Sequence, residues 1–440
     1  MSNRLTAVPV AEPAAMPIGQ PVAPTGAPGV VLLGSDFKAL GVVRSLGRRG
    51  IPSVVIDNHP RSAWFSRYVR QRFIWHGSME DPAFVDFLIG LAAAHHLERW
   101  VLIPAQDEVV GMVARHAERL GACYQLVTPS WEVVRWAFDK RLTHQMARET
   151  GVAYPRTWYP ASEAELDGLD ITLPVIIKPA ISVHLQYATR LKALPAATRD
   201  ELRAQYRAAA AILSADEIMV QETIPGGGDS QFSVAAYCVE GEPLLSMTAR
   251  RTRQYPIDFG LGSSYVEAIE LPELLEPAAK ILRFMGLTGM VEVEFKRDPR
   301  DGLDKLLDIN VRPWGWHTLC IACGLDFPYI QYRGLLGDVP DPVAPRYGAR
   351  WLRLMTDLPA GLQLVRGGLT SPRAYLRSLW GRTVFSVADW RDPLPAAGDL
   401  AMAAARVIGP RLRRLTRRTR RAASQGMPGQ AGVGAPEAQG

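Results

Sequence analysis

Short apolar runs alternate with amphipathic stretches through the first third of the chain. GVVLLGSDFKALGVVRSLGRRGIPSVVID (29–57) reads as a strand, a glycine turn, a helix and a second strand. Leu40, Val43 and Leu46 recur at helical spacing, and Gly50-Ile51-Pro52 ends the helix. WVLIPAQDE (100–108) and YQLVTPS (124–130) repeat the pattern of a short apolar strand running into a helix. Such alternation implies a parallel sheet with helices on both faces. Residues 30–137 are therefore expected to form an N-terminal α/β layer.

Beyond residue 137 the pattern loosens towards α+β. Residues 138–160 predict a helix stopped at Gly151, then an extended proline-bearing link. LPVIIKPA (173–180) predicts a buried strand ending in a lysine, and residues 199–214 an alanine-rich helix. EIMVQETIPGGGDSQFSVAAYCV (217–239) predicts strand, glycine-rich turn and strand, and residues 274–287 a helix. Residues 336–400, with scattered Trp, Pro and Gly, read as an appendage whose main helix lies in 369–381.

The most informative alternation is in MVEVEFKRD (290–298) and LLDINVRPWGWH (306–317). Residues two apart on a strand share a face. Glu292 and Glu294 therefore share one face, and Asp308, Asn310 and Arg312 share one, with Leu307, Ile309 and Val311 expected on the core side. A turn centred near residue 301 without a bulge pairs Glu294 with Asp308 and Glu292 with Asn310. Opposed Cβ atoms lie about 4.5–5.5 Å apart, so the two carboxylates repel unless one is protonated or a cation lies between them. Oxygen-only ligands suit Mg²⁺, which keeps waters and shares its shell with nucleotide phosphates. The Arg312 fork suits a phosphate or carboxylate. A solvated polar face would more often mix in Lys and Thr, and a general acid–base pair leaves Asn310 without a role.

Composition sharpens this picture in two places. The 50 basic residues include only seven lysines, 38, 140, 178, 192, 280, 296 and 305. Arginine is the default cation, so Lys178, at the end of a buried strand, and Lys140, opening a helix, are candidates for a phosphate oxygen. The basic balance is also local: residues 401–440 hold eight Arg and one Glu, which leaves residues 1–400 at about −1 of the total +6. That argues against a broad nucleic-acid-binding surface, while the tail could touch acidic surfaces. Four cysteines are too few for a disulfide scaffold, and the lone Cys320-x-x-Cys323 reads as core. The Pro-, Ala- and Val-rich residues 1–29 lack the layout of a secretory signal and are expected to be a disordered leader, as 401–440 are a basic disordered tail. No run is long enough to span a membrane, and the expected location is the cytoplasm.

No GxxxxGK[ST] is present, and GSDFKALG (34–41) lacks the GxGxxG spacing, although Asp57 ends the next strand as a ribose-binding acid would. Lys140, Lys178, VQETIPGGGD and EVEFK…LLDINVRPW together resemble the ATP-grasp superfamily, in particular its carboxylate–amine ligase-like members, over roughly residues 30–335. The resemblance implies ATP held between two α+β subdomains. These are a lid over 138–225 and a C-terminal subdomain with the metal site over 226–335. Lys140 and Lys178 would contact the phosphates, Gln221, Glu222 and Ile224 would lie along the adenine, and Asp229 would take the ribose. Glu294, Asp308 and Asn310 would hold Mg²⁺, with Mn²⁺ as the alternative ion, and Arg312 would face the transferring phosphoryl group or the acyl intermediate. Asp308 stands where Glu is usual and Val311 where Pro is common. The glycine-rich loop after the Lys178 strand is missing, which leaves His184 and Lys192 to take over its contacts. Arg251 and Arg253, read as sharing a strand face, would clamp a substrate carboxylate, next to a Gly260/Gly262 segment able to close over it. The expected activity is Mg-ATP-dependent ligation of a small-molecule carboxylate to an amine. A non-catalytic nucleotide-binding module and a dinucleotide-dependent oxidoreductase are the alternatives.

Overall fold

The computed structural model describes residues 26–181, 184–185, 189, 191–257, 262–338 and 341–405. Most of the leader, the tail from 406 and Gly260 lie outside the described residues.

Five strands form the first sheet: β1 (Val30–Leu33), β2 (Ser53–Asp57), β3 (Val69–Ile74), β4 (Val101–Pro104) and β5 (Gln125–Leu126). They are parallel throughout, in the order β3-β2-β1-β4-β5, as the strand–helix alternation predicted. Helices α1 (Phe37–Gly47), α2 (Pro82–His95) and α3 (Asp107–Arg115) make the crossovers. Gly34, at φ +109°, makes the turn out of β1, and the Asp36 carboxylate caps α1 by accepting from the Lys38 and Ala39 amides. Separate core clusters cover the two sheet faces.

A smaller antiparallel sheet follows, from β6 (Thr157–Trp158), β7 (Val175–Pro179), β8 (Leu194–Ala196) and β9 (Ile218–Glu222), in the order β6-β9-β7-β8. One face packs Val175, Ile177 and Val220 onto the helix at Arg199–Ala210, which ends four residues earlier than its alanine-rich sequence suggests. The other face carries Ile176, Lys178 and Gln221, by the β7–β9 register. Helices α4 (Trp131–Phe138) and α5 (Lys140–Thr150) precede this sheet but pack elsewhere. Met146 and Ala147 join the core of the third sheet, so by packing α5 sides with the body and not with the lid strands.

That third sheet has seven strands in the order β14-β13-β10-β11-β12-β15-β16. They are β10 (Gln231–Val239), β11 (Glu242–Tyr255), β12 (Gly262–Ala268), β13 (Gly289–Arg297), β14 (Asp304–Asn310), β15 (Arg350–Leu352) and β16 (Thr383–Phe385). The last two come from the region read as an appendage, which thus extends the main sheet. Its longest helix is Leu354–Arg366, not the segment around Pro372–Ser378 that the sequence suggested; Pro359 interrupts the expected periodicity. The chain then returns to the first layer, where the buried Asp392 accepts from Arg44 Nε at 3.0 Å and the Ser66 hydroxyl at 2.7 Å. Among the described residues, no helix is long and apolar enough to cross a membrane.

Candidate active site

The β13–β14 hairpin pairs Glu292 with Asn310, Val293 with Ile309 and Glu294 with Asp308, the register that the alternation predicted. The route to it differs from the simple hairpin. Arg297 pairs with Asp304 and not Lys305, so the turn is one residue shorter than expected, and an extra residue at Leu307 restores the register beyond it. The bulge also changes one face assignment. Leu306, not Leu307, packs with Ile309 in the core beside Val291, Val293 and Phe295.

Cations of this chain neutralise the opposed acids. Lys140, only 3% exposed, pairs with Asp308. Arg251 donates to Glu294 Oε2 at 3.0 Å and to Gln231 Oε1 at 2.6 Å. Burial works to raise the Asp308 pKa, but Lys140 overrides it and holds the carboxyl low. Buried Glu292 goes the other way: desolvation and the neighbouring Glu294 charge push its pKa up. Asn310 Nδ2 bridges Glu292 Oε2 and Glu294 Oε1, both at 3.0 Å, and Trp316 Nε1 donates to Glu292 Oε1 at 2.7 Å.

Lys140 is positioned twice. Asp139 caps its helix, and the Lys140 amide donates to the Ala180 carbonyl at 2.9 Å, just past β7, the strand that carries Lys178. Lys178 has a poor partner, since its ammonium lies 3.5 Å from Gln221 Oε1. Desolvation, aided by Lys140, lowers its pKa to about 8. Lys192 faces the same acids; desolvation within the cleft lowers its pKa although the residue is solvent-accessible, and Glu294 and Asp308 oppose the shift. His144, next to both Lys140 and Lys178, is held neutral: desolvation and Lys178 lower its pKa to about 3.

The remaining predicted residues divide. Arg312 reaches the first layer, where its guanidinium grips Asp107 bidentately at 2.6 and 2.6 Å. Although desolvation opposes it, that guanidinium lowers the Asp107 pKa to about 2. Gln221 is buried, and its Nε2 donates to Thr157 Oγ1 at 3.0 Å. Glu222 accepts from Lys305 at 2.8 Å and Arg300 at 2.7 Å, which ties the lid strand to the hairpin turn. The Ile224 carbonyl accepts from Lys296 at 2.8 Å. Asp229 is exposed on the short turn before β10, and its charge reaches Lys296. His184 sits at 2.7 Å from Glu217, away from the acids.

Arg253 corrects an expectation. Register breaks on either side of Arg253 leave Thr252 unpaired, so Arg251 opposes Val266 while Arg253 opposes Tyr265. Neighbouring residues of β12 point to opposite faces, so the two arginines do as well. Arg253 is buried on the far side, bound to both oxygens of Asp357 at 2.8 and 2.9 Å and lying 4.0 Å over the Tyr265 ring. Cys320 and Cys323 are fully buried free thiols in the core, and burial pushes both pKa values up, as fits a packing role.

Several residues escaped the sequence reading. Trp316 completes the hairpin by holding Glu292, which the alternation had already paired with Asn310, while Lys38 and Asp107 approach Arg312 from the first layer. Lysine scarcity was the available signal. Six of the seven lysines ring this cleft or its lid seam, and only Lys280 lies out on an exposed helix face.

Do the donors fit a divalent ion? Among the described residues, no three His, Cys, Asp or Glu side chains form a closed metal cage. Glu294, Asp308 and Asn310 supply two carboxylates and an amide, an open oxygen set that suits an ion sharing its shell with phosphates. Only about 50 Å³ is open between Asp107, Lys140, Asp308 and Val311, where the ion pairs close the cleft. A larger cavity of about 560 Å³, walled by His144, Tyr154 and Tyr159, lies beyond α5; neither the hairpin acids nor Lys140 and Lys178 line it.

Residues 214–356 match a family described as ATP-grasp in the biosynthetic pathway with Ter operon. The chain is 25% identical over 305 residues to the D-aspartate ligase of Enterococcus faecium, covering 64% of this chain and 70% of that protein. Among solved structures, the L-amino acid ligase of Bacillus licheniformis aligns with a TM-score of 0.56 at 14% identity, covering 72% of this chain and 77% of that one. The biotin carboxylase domain of the Hydrogenobacter thermophilus 2-oxoglutarate carboxylase, solved with MgADP and bicarbonate, aligns with a TM-score of 0.59 at 17% identity, covering 73% of each.

Proposed function

Starting from a chain with the ATP-grasp fold, we propose that it is a Mg-ATP-dependent ligase that activates a small-molecule carboxylate as an acyl phosphate for attack by an amine. The observation that carries this reading is the direct opposition of Glu294 and Asp308 beside three lysines, 140, 178 and 192. The two opposed acids need cations, which Lys140 and Arg251 supply here, and Lys178 and Lys192, held at lowered pKa, are costly without an anion. A divalent ion with a polyphosphate answers both. In this reading Glu294, Asp308 and the Asn310 amide oxygen hold Mg²⁺, or Mn²⁺ as the alternative, which supplies charge neutralisation on the phosphates.

The chain's own residues do the positioning. Lys140 leaves Asp308 for a phosphate oxygen, and Lys178, backed by Gln221, takes another. Glu222, Ile224 and Asp229 border the nucleotide along the lid seam, where the Glu222 and Ile224 partners Lys305 and Lys296 have to yield or rearrange. Arg251 and Arg312 orient the acid. A carboxylate oxygen attacks the γ-phosphorus and ADP leaves; the amine then attacks the acyl carbon, and inorganic phosphate leaves. Phosphoryl transfer of this kind relies chiefly on positioning and charge neutralisation. Arg253 is left out of the clamp because it is buried with Asp357 on the opposite face of the sheet from the two acids.

The D-aspartate and L-amino acid ligase relatives point to an amino acid as one substrate. With α5 (Lys140–Thr150) moved out of the lid because it packs on the body, the division into a first layer (30–137), a lid (138–225) and a metal-bearing subdomain (226–335) is part of the proposal. So are a cytoplasmic location, supported by four unpaired cysteines, and contact of the basic tail with acidic surfaces. A dinucleotide role is disfavoured: Asp57 is fully buried and holds the Ser35 amide and hydroxyl, both at 2.6 Å. A non-catalytic module is separated by assay. The ligase consumes ATP only when both an acid and an amine are added, screened as paired amino acids, and Glu294→Gln abolishes that turnover. A wild-type protein that binds Mg-ATP yet never turns it over would sink the enzymatic reading.

A further inference from the structure

Glu292 stands beside the metal-binding acids but has no role in the reading above. It is 2% exposed, so a cation could not reach it without displacing the core around it. Each of its oxygens is occupied: Oε1 accepts from Trp316 Nε1 at 2.7 Å, and Oε2 accepts from Asn310 Nδ2 at 3.0 Å. Trp316 is itself fixed, packed at 2% exposure in the core under the sheet. The second contact of Asn310 Nδ2, at 3.0 Å, is Glu294 Oε1.

These contacts decide which way up the Asn310 amide sits. Rotated by 180°, it would set Oδ1 against two carboxylates, acceptor against acceptors, with no hydrogen to share. With Nδ2 held by the acids, Oδ1 is the atom left for a cation, and it accepts no hydrogen bond among the described residues. When Glu294 turns its charge to a bound ion, its hold on Nδ2 weakens and Glu292 remains as the keeper.

We infer that Glu292 is a positioning residue that fixes the Asn310 amide with its oxygen towards the divalent ion, anchored in turn by the Trp316 indole. The inference rests on the metal-site reading given above. It adds an outer-shell partner of the kind whose loss weakens metal binding without removing a ligand.

The test is calorimetric titration of ADP binding at increasing Mg²⁺, which needs no turnover. Glu292→Gln cannot accept from both Trp316 and Asn310, because one of its two positions becomes a donor. It is expected to raise the Mg²⁺ midpoint about 10- to 100-fold, with ADP affinity recovered at saturating Mg²⁺. A carboxylate at 310 offers an oxygen whichever way it turns, so in an Asn310→Asp background the same Glu292→Gln change is expected to cost nothing or to help. A merely structural role would cost the same in both backgrounds, and thermal unfolding of each variant shows whether it folds. A Glu292→Gln midpoint within about twofold of wild type, or an equal loss in the Asn310→Asp background, overturns the inference. If wild-type ADP binding ignores Mg²⁺ altogether, the metal reading itself falls, which is a separate and recognisable result.

Discussion

Two arginine–carboxylate clusters lie on opposite faces of one sheet, and their difference separates scaffold from site. Around Arg253 everything closes. Asp357 takes two guanidinium nitrogens, Ser378 takes a third at 2.9 Å, and Ser264 and Tyr375 complete the carboxylate. Around Arg251 closure is partial. The guanidinium holds Gln231 and Glu294, and Lys140 holds the opposed Asp308, but the two acids still face each other and the nearby Lys178 has only a marginal contact with an amide oxygen. Both clusters are largely buried, so burial alone does not tell them apart. What does is an excess of matched but unsatisfied charge, which a ligand can complete.

This comparison can be broken from either side. The largest effect is expected in the closed cluster. Asp357→Ala leaves a buried guanidinium unpaired and should cost about 3–5 kcal/mol of stability in denaturant melts, with little change in ATP affinity for the protein that remains folded. A loss below about 1 kcal/mol would show that the cluster relaxes and is not closed. In the open cluster the order reverses. Lys178→Met should raise the KM for ATP by roughly 10- to 100-fold while leaving stability unchanged or improved, because it removes a buried charge without a good partner.

The same lysine gives a smaller effect with a definite sign. Its pKa is lowered from 10.5 to about 8 in the folded protein. The ammonium proposed to bind phosphate is present below about 8, so ATP affinity of the free protein should fall as pH rises through that value. Between 8 and 10.5 the unfolded chain binds more protons at this lysine than the folded one, so its contribution to stability should rise over the same window. Opposite trends in titrations of ADP affinity and of unfolding free energy check this, and parallel trends contradict it. Lys178→Arg should flatten both. At the small end, Lys280→Ala, at the lysine outside the cleft, should change stability by less than about 0.5 kcal/mol and leave the KM for ATP alone. A marked rise there would mean that lysine scarcity marks something other than this cleft.

Legibility in the sequence followed the range of the interactions. The parallel layer and the hairpin acids were readable because period-two and period-3.6 patterns are local. Even there, the predicted pairing of Glu294 with Asp308 emerged from two offsetting departures, a tighter turn and an extra residue at Leu307. The break at Thr252 is cancelled only beyond Arg253, where Ser264 is skipped in turn, so Arg253 itself is sent to the other face. No residue near it signals a break. β15 and β16, at three residues each, are too short for any alternation to register, so sheet strands were taken for an appendage. Asp107 was hidden for a different reason: it meets Arg312 across 205 residues of chain, and only tertiary packing brings the two together. The Glu222–Lys305 link across the lid seam is of the same kind. Glu292 was visible in the alternation, but its buried indole and amide partners were not.

The most direct test of the central claim is a crystal structure grown with a non-hydrolysable ATP analogue and Mn²⁺, whose anomalous signal locates the ion. We expect the peak between the Glu294 and Asp308 carboxylates with Asn310 Oδ1 facing it, and Lys140 drawn from Asp308 onto a phosphate oxygen. Nucleotide bound elsewhere, or bound in the cleft with Lys140 still on Asp308 and no ion between the two acids, would contradict it.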